Sequence, residues 1–450
     1  MRALSSMILR GRRRTKALLL VLVLAVIFPL VVALGPASAA GIVNAWPGPQ
    51  PAPGDWPQVM RGGHHTGWNR VENTLTRSTV RGLSIAWMES NPPSEMDLSG
   101  TPTVVGQSVF LGGAQVTARR VDTGATLWQT LIGGGISTTP AYGHGIVVAS
   151  DTENPSTIAG LDASTGAILW SRRLGGTVSS SPSISGKTVY IGFELRVGFA
   201  VLALRLRTGR TMWKWTTAYN NFGLVSSPTA DGSSVYFSLG GGTKLVALDA
   251  ATGGQRWSLT LDSGNGWTID GLMVSLQGGR IYAGNVAGAV YAIDAATGVI
   301  VWRTDIGGAS WRPVAVTPHA VLVIKDFSTL VALSPADGSE LWTYSIHSTM
   351  SPGVSAAGGL VYVGSSARGV GRLDVLNIRT GGRRARIDLV GTYLEPEIPA
   401  VSAGRVLVAS TDTLLALTLP GTGAVQRPVR VADRPPVGPR VESIAPVFTK

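Results

Sequence analysis

LVALDAATGGQRW at Leu245–Trp257 and VYAIDAATGVIVW at Val290–Trp302 are one pattern written twice: an apolar run, an Asp, a Thr-Gly pair and a Trp. Asp and Thr oxygens suit the backbone N–H groups of a tight turn, and Gly reaches positive φ there at little steric cost. The Trp that follows offers a large flat ring whose N–H needs a partner when buried. Working outward, the same turn and Trp recur at Thr123–Trp128, Thr165–Trp170, Thr208–Trp213 and, as DGSELW, at Asp337–Trp342. A seventh copy, TGGRRA at Thr380–Ala385, keeps the turn and loses the Trp, while LSIAW ends in Trp87 with no such turn before it. From Trp87 to Ala385 the eight successive positions are 40 to 45 residues apart. A period in the low forties with several short strands per unit marks a β-propeller.

Between Trp128 and Trp170 lie a segment with Pro140, then IVVAS (Ile146–Ser150), IAGLDA (Ile158–Ala163) and AILWS (Ala167–Ser171). These are four short β segments, one blade. The Pro recurs at Pro102, Pro182, Pro228, Pro313, Pro352 and Pro399, and the unit near Leu272–Met273 lacks it. Eight Trp-type strands are present. The first, Ser84–Met88, has no inner strands before it, and the last three strands, around Pro399, Val406–Ser410 and Leu414–Leu419, have no fourth after them. The expected fold is therefore all-β: an eight-bladed propeller of four-stranded antiparallel blades, closed by pairing the N-terminal strand with the last three C-terminal strands. Closure leaves no open interface in the ring.

Composition agrees with strands and tight turns: 58 of 450 residues are Gly, and charged residues are 14%. The net charge of +12 is concentrated at the ends. Residues 1–40 hold six basic residues and no acid, residues 420–450 add a net three positive charges, and three remain for the rest. That distribution argues against a nucleic-acid partner. The absence of Cys excludes disulfides, thiolate metal sites, covalent c-type haem, a Cys nucleophile and a lipidated Cys.

Arg10 to Lys16, the apolar run Ala17–Leu34 and the small residues Ala37–Ala40 have the layout of a secretory signal, or of an anchor if it stays uncleaved. The domain reading is residues 1–40 as leader or membrane anchor, 41–82 as Pro-rich spacer and N-terminal arm, 83–419 as propeller and 420–450 as a disordered Pro/Arg-rich tail. Localisation is extracytoplasmic, either secreted or tethered to the cytoplasmic membrane by the leader.

The units resemble the pyrroloquinoline-quinone (PQQ) repeat, xALDxxTGxxxW, and DWPQVMRGGHHTGWN (Asp55–Asn69) resembles the arm that precedes the first blade in such proteins. The family includes quinoprotein alcohol and sugar dehydrogenases and the outer-membrane-assembly lipoprotein propeller. The resemblance implies structural, blade-docking roles for Trp87, Trp128, Trp170, Trp213, Trp257, Trp302 and Trp342, and for Gly124, Gly166, Gly209, Gly253, Gly298 and Gly338. In the dehydrogenases it implies PQQ held beside a vicinal disulfide, with Ca²⁺ on a Glu–Asn–Asp set; this chain cannot form the disulfide, and no motif fixes the carboxylates.

Polar and aromatic residues outside the repeat fall in loops that open on one face of a propeller. Three adjacent units are expected to bring Trp267, Asp270, Asn285, Trp311, Arg312, Lys325 and Asp326 together as a ligand-binding set around the axial funnel; the alternative is that these loops are polar because they are solvated, with Lys325 and Asp326 a neutral pair at the rim. His64-His65 invites a metal reading, but adjacent side chains diverge, so no metal site is assigned. Catalytic residues stay unassigned, since HExxH, P-loop and GxSxG patterns are absent. The preferred function is an exported, monomeric, non-catalytic scaffold engaging protein, peptide or glycan at the cell envelope, with no resident cofactor. Two alternatives stand beside it: a PQQ- and Ca²⁺-dependent dehydrogenase, and a small-ligand or glycan sensor stacking ligands on Trp267 and Trp311.

Overall fold

The turn that defines the repeat forms for local reasons. Asp162 Oδ1 accepts from the N–H groups of Ser164 (2.9 Å) and Thr165 (3.1 Å), and Gly166 closes the loop at φ +75°. Asp249 and Asp294 bind the Thr of their own turns in the same way. Each turn joins the third and fourth strands of a blade, and a β-bulge just before the Trp position lets the outer strand twist away from its partner.

The computed structural model describes residues 46–90, 99–134, 138–218, 225–240, 244–262, 273–346, 348, 352–367, 370–389, 398–410 and 413–421. Those residues make eight sheets arranged as an eight-bladed, all-β propeller. Blade 1 runs Ser99–Val105, Ser108–Gly112, Val116–Arg120 and Thr126–Thr130, from the axis outward. Blades 2 to 7 repeat that order, beginning at Ala141, Ser183, Thr229, Ser275, Ala315 and Gly353. Blade 8 is composite. Ala400–Ser402, Arg405–Ala409 and Thr413–Thr418 supply three strands, and Ser84–Ser90 pairs antiparallel with the third as the outermost strand. The closure expected from the sequence is the one observed. The leader, residues 41–45 and the tail from 422 onward lie outside the described residues.

Each Trp ring leaves its own blade and meets the next. Trp170 Nε1 donates to Leu206 O (2.8 Å), Trp213 to Ala250 O (2.9 Å), and Trp87, in blade 8, to Val121 O of blade 1 (3.0 Å). Trp128, Trp257, Trp302 and Trp342 do the same with Ala163, Ala295, Pro335 and Ile378. The ring lies on the turn glycine of that next blade. A Cβ on Gly209, at φ +63°, would stand 2.5 Å from the Trp170 ring, so only glycine fits. Gly124, Gly166, Gly253, Gly298, Gly338 and Gly381 face Trp87, Trp128, Trp213, Trp257, Trp302 and Trp342 equally closely.

The N-terminal arm closes one end of the axis. Trp56 exchanges both backbone hydrogen bonds with Val104 of blade 1 (2.7 and 2.8 Å), and Pro57 O accepts from Tyr142 N of blade 2 (2.7 Å). Gln58 Oε1 accepts from Ile184 N in blade 3 (2.7 Å). Gly63, His64, Thr66 and Gly67 then offer carbonyls to Ala230, Leu276, Val316 and Ala356 in blades 4 to 7. Asn69 Nδ2 completes the circuit on Val401 O of blade 8 (2.8 Å). One segment of fifteen residues, Asp55–Asn69, thus bonds all eight innermost strands next to their hairpins. Trp56, Met60 and His65 are fully buried beneath it.

Candidate functional site

With the arm across the hairpin end, the loops between second and third strands and the links between blades belong to the opposite end. Asn285 and Lys325–Asp326 lie in loops of the first kind in blades 5 and 6, and Trp311–Arg312 lie in the link joining those blades. The structure brings these five residues into one neighbourhood. Ser310 N donates to Asn285 O (3.0 Å), Ala309 and Asp326 exchange two hydrogen bonds, and Trp311 stacks on Phe327 at 6.0 Å between ring centroids. Trp267 and Asp270 lie outside the described residues.

The polar groups in this neighbourhood hold loops in shape. Asn285 is buried; its Oδ1 accepts from Ala289 N (2.9 Å) and its Nδ2 donates to Asp262 O (2.7 Å). Asp326 takes left-handed φ (+47°), as does Phe327 (+57°), and its Oδ1 accepts from Ala309 N (2.8 Å). That carboxylate therefore anchors the backbone of the neighbouring link. Lys325 Nζ lies over Gly307 of the same link, 3.5 Å from the position a Cβ would take there. Beneath, Asp262 Oδ2 accepts from Tyr291 Oη and Arg303 Nε, both at 3.0 Å. Burial pushes the Tyr291 phenol above its ordinary pKa, so it stays a donor.

A quinone with Ca²⁺ needs a convergent set of Glu, Asn and Asp oxygens. Among the described residues no group of three or more His, Asp or Glu side chains is placed to hold a metal ion. The described Asn and Asp candidates turn their oxygens to backbone N–H groups. The loops at 263–272 and 390–397 lie outside the described residues. His64 and His65 do diverge: His64 is exposed, whereas His65 is fully buried with Nδ1 2.9 Å from Thr229 Oγ1.

A second concavity was not anticipated. At the sealed end the arm borders a half-open cavity of about 440 Å³, lined by Pro51, Asp55, Pro57, Arg61, His64, Thr66, Trp68, Arg70 and neighbouring arm residues, with Gln277 from blade 5. The available signal was local charge: Arg61, His64, His65 and Arg70 stand between Asp55 and Glu72 with no acid among them.

A family model described as outer membrane protein assembly factor BamB (PQQ_2) matches residues 70–242, 201–310, 243–387 and 326–426. A BamB of Moranella endobia is 28% identical over 149 residues, which are 31% of this chain and 38% of that protein. The chain matches between 32% and 38% of the length of its curated relatives. Among solved structures, quinohemoprotein alcohol dehydrogenase ADHIIG of Pseudomonas putida HK5 superposes with a TM-score of 0.68 at 16% identity, covering 86% of this chain and 83% of that one. BamB from Moraxella catarrhalis superposes at 0.57 with 18% identity, covering 75% of this chain and 98% of that one. At such identities the superpositions show a shared fold alone.

Proposed function

This chain belongs to the PQQ_2 family, described as outer membrane protein assembly factor BamB, and from that membership we propose that it is an exported scaffold that binds protein partners at the cell envelope rather than a quinone-dependent oxidoreductase. The observation that carries this reading is the apolar surface on the outer strands. Val299, Ile300 and Val301 are 63%, 41% and 44% exposed at the start of the outer strand of blade 5, and Ile168 and Leu169 repeat the arrangement in blade 2. Leu127, Leu169, Met212, Val301 and Leu341 all sit in the bulge directly before a docking Trp, so exposed apolar groups recur at one level around the rim. Contiguous exposed apolar groups beside an open strand edge suit a protein surface. The loop-holding use of Asn285 and Asp326 suits a rigid platform. The curated relatives are named for outer membrane protein assembly, which supports a protein partner and an extracytoplasmic setting.

Two measurements test the reading. A photo-crosslinking residue at Val301 should give a defined protein adduct in intact envelopes, and one at Arg173, elsewhere on an outer strand, should not. Purified protein mixed with PQQ and Ca²⁺ should show neither saturable Trp quenching nor dye-linked alcohol oxidation at high micromolar quinone. Turnover would overturn the scaffold in favour of the dehydrogenase.

A further inference from the structure

The cavity at the arm-sealed end has the wrong charge to be an idle dent. Arg61, His64 and Arg70 line it, and its one acid, Asp55, is engaged: Oδ2 accepts from Ala52 N (2.7 Å) and Oδ1 from Gly106 N (3.1 Å). The Arg61 guanidinium donates from one Nη to Pro53 O, while its buried Nε has no partner. Loss of solvation, then the nearby Arg70 charge, push Arg61 down to about 10, with Asp55 opposing. The positive charge is therefore held in a place that disfavours it. The charge of an incoming anion would offset both effects.

The backbone is shaped around that side chain. Met60 (φ +49°) and Arg61 (φ +57°) are consecutive non-glycine residues in the left-handed region, which is sparsely populated for L-residues. Arg61 N donates to Gln58 O (3.0 Å) and Gly67 N to Met60 O (2.8 Å), which lock the loop. Pro51, Pro53, Pro57 and the half-buried Trp68 supply apolar wall, and about 440 Å³ lies within the size of a small-molecule site. We propose that this cavity binds a small organic anion, its charged group held between Arg61 and Arg70 and its apolar body against Trp68 and the prolines. The site is distinct from the funnel-face loops, which lie at the other end of the axis.

Calorimetric titration of the purified protein with benzoate, phenyl phosphate and neutral benzyl alcohol tests this. At least one anion should saturate a single site with Kd at or below about 1 mM, and benzyl alcohol should not. Whichever anion binds more tightly identifies the acid as a carboxylate or a phosphate. Arg70 is exposed, so Arg70→Gln should keep the fold while weakening binding about tenfold or more, through loss of one charge-assisted contact. Absence of saturation by both anions, equal binding of benzyl alcohol, or unchanged affinity in Arg70→Gln would overturn the proposal.

Discussion

The junction between blades 2 and 3 and the junction between blades 7 and 8 solve one packing problem by different means. In the first, Trp170 reaches from blade 2 onto Gly209 of blade 3 and donates to Leu206 O. In the second, Ala385 stands at the Trp position of blade 7, paired with Val375 where Trp342 pairs with Ala332 in blade 6. The reason lies in the blade that follows. A docking Trp needs the turn between the third and fourth strands of the next blade. Blade 8 has no such turn, because its third strand ends at Thr418 and its fourth, Ser84–Ser90, comes from the N-terminal side. A Trp at 385 would have no glycine turn to cover.

The space is filled by chain instead. Glu72 to Leu83 runs from the arm to the outer strand of blade 8. Leu75, Val80 and Leu83 are buried in one cluster with Leu376 and Ile378 of blade 7 and Val406 and Leu417 of blade 8. Leu75 O lies against Gly358 in the inner hairpin of blade 7, and Thr74 lies against Gly404 in that of blade 8. Glu72 ties the segment down: Oε1 accepts from Thr74 N (2.7 Å) and Leu75 N (3.1 Å), and Oε2 from Gly404 N (2.8 Å). Seven junctions are thus made by the repeat and one by a segment outside it.

The largest test of the contrast removes a ring. Trp170→Ala should cost about 3–5 kcal/mol, through the cavity and the lost hydrogen bond, and lower the thermal midpoint. Gly209→Ala should also destabilise, because its Cβ strikes the ring at a left-handed position. The double variant should lose less than the two single losses together, since the clash vanishes with the ring. Ala385→Trp is the converse and should bring no gain, although it restores the repeat. A stabilised Ala385→Trp would show that the missing turn is not why the Trp is absent.

A smaller effect is expected at the irregular junction. Glu72→Gln keeps size and packing but sets an NH₂ against backbone N–H groups that now face a carboxylate. Glu72 is buried, so the loss should be about 1–3 kcal/mol by chemical denaturation. Hydrogen exchange should rise first at Leu75 and Gly404 and leave the N–H of Leu206 and Gly209 protected.

Much of this was legible in the sequence, because a repeat states the same local physics many times. Turn glycines and Trp positions recur at near-constant spacing, so strand count, blade count and closure can be read from them. The unmatched ends, a Trp without a turn at Trp87 and a turn without a Trp at Gly381, mark where the ring joins. Contacts made by segments outside the period were not legible. The arm bonds six of the eight blades through its own backbone, which leaves no trace in side-chain identity, and reaches blades 3 and 8 with the Gln58 and Asn69 side chains. Five of the seven funnel-face candidates, Asn285, Trp311, Arg312, Lys325 and Asp326, fall in neighbouring loops, but whether Asn285 and Asp326 face a ligand or their own backbone depends on loop dihedrals such as φ +47° at Asp326. Residue type alone does not encode that choice.

The smallest expected effect uses pH to loosen a regular junction selectively. His65 sits between blades 4 and 5: Nδ1 meets Thr229 Oγ1 at 2.9 Å, and its carbonyl accepts from Ser275 Oγ (2.7 Å). Thr229 gives its own proton to Val274 O (2.6 Å), so the imidazole must be the donor through Nδ1–H. Nε2 is buried without a partner, and protonating it would place an uncompensated charge inside the ring. Burial first, and the neighbouring His64 second, push the His65 pKa from 6.5 down to about 3. The unfolded chain therefore binds a proton between those values that the folded one refuses. This contribution is complete above about pH 6.5 and falls on acidification by up to about 1.4 kcal/mol per pH unit. Between pH 6.5 and 5.5, before carboxylates titrate, the wild-type midpoint should fall faster than that of His65→Gln. Exchange should rise at Ala230 and Leu276 while Ala356 and the Glu72 contacts hold. If the junction of blades 7 and 8 opens first on acidification, the chain-filled junction is the weaker of the two kinds.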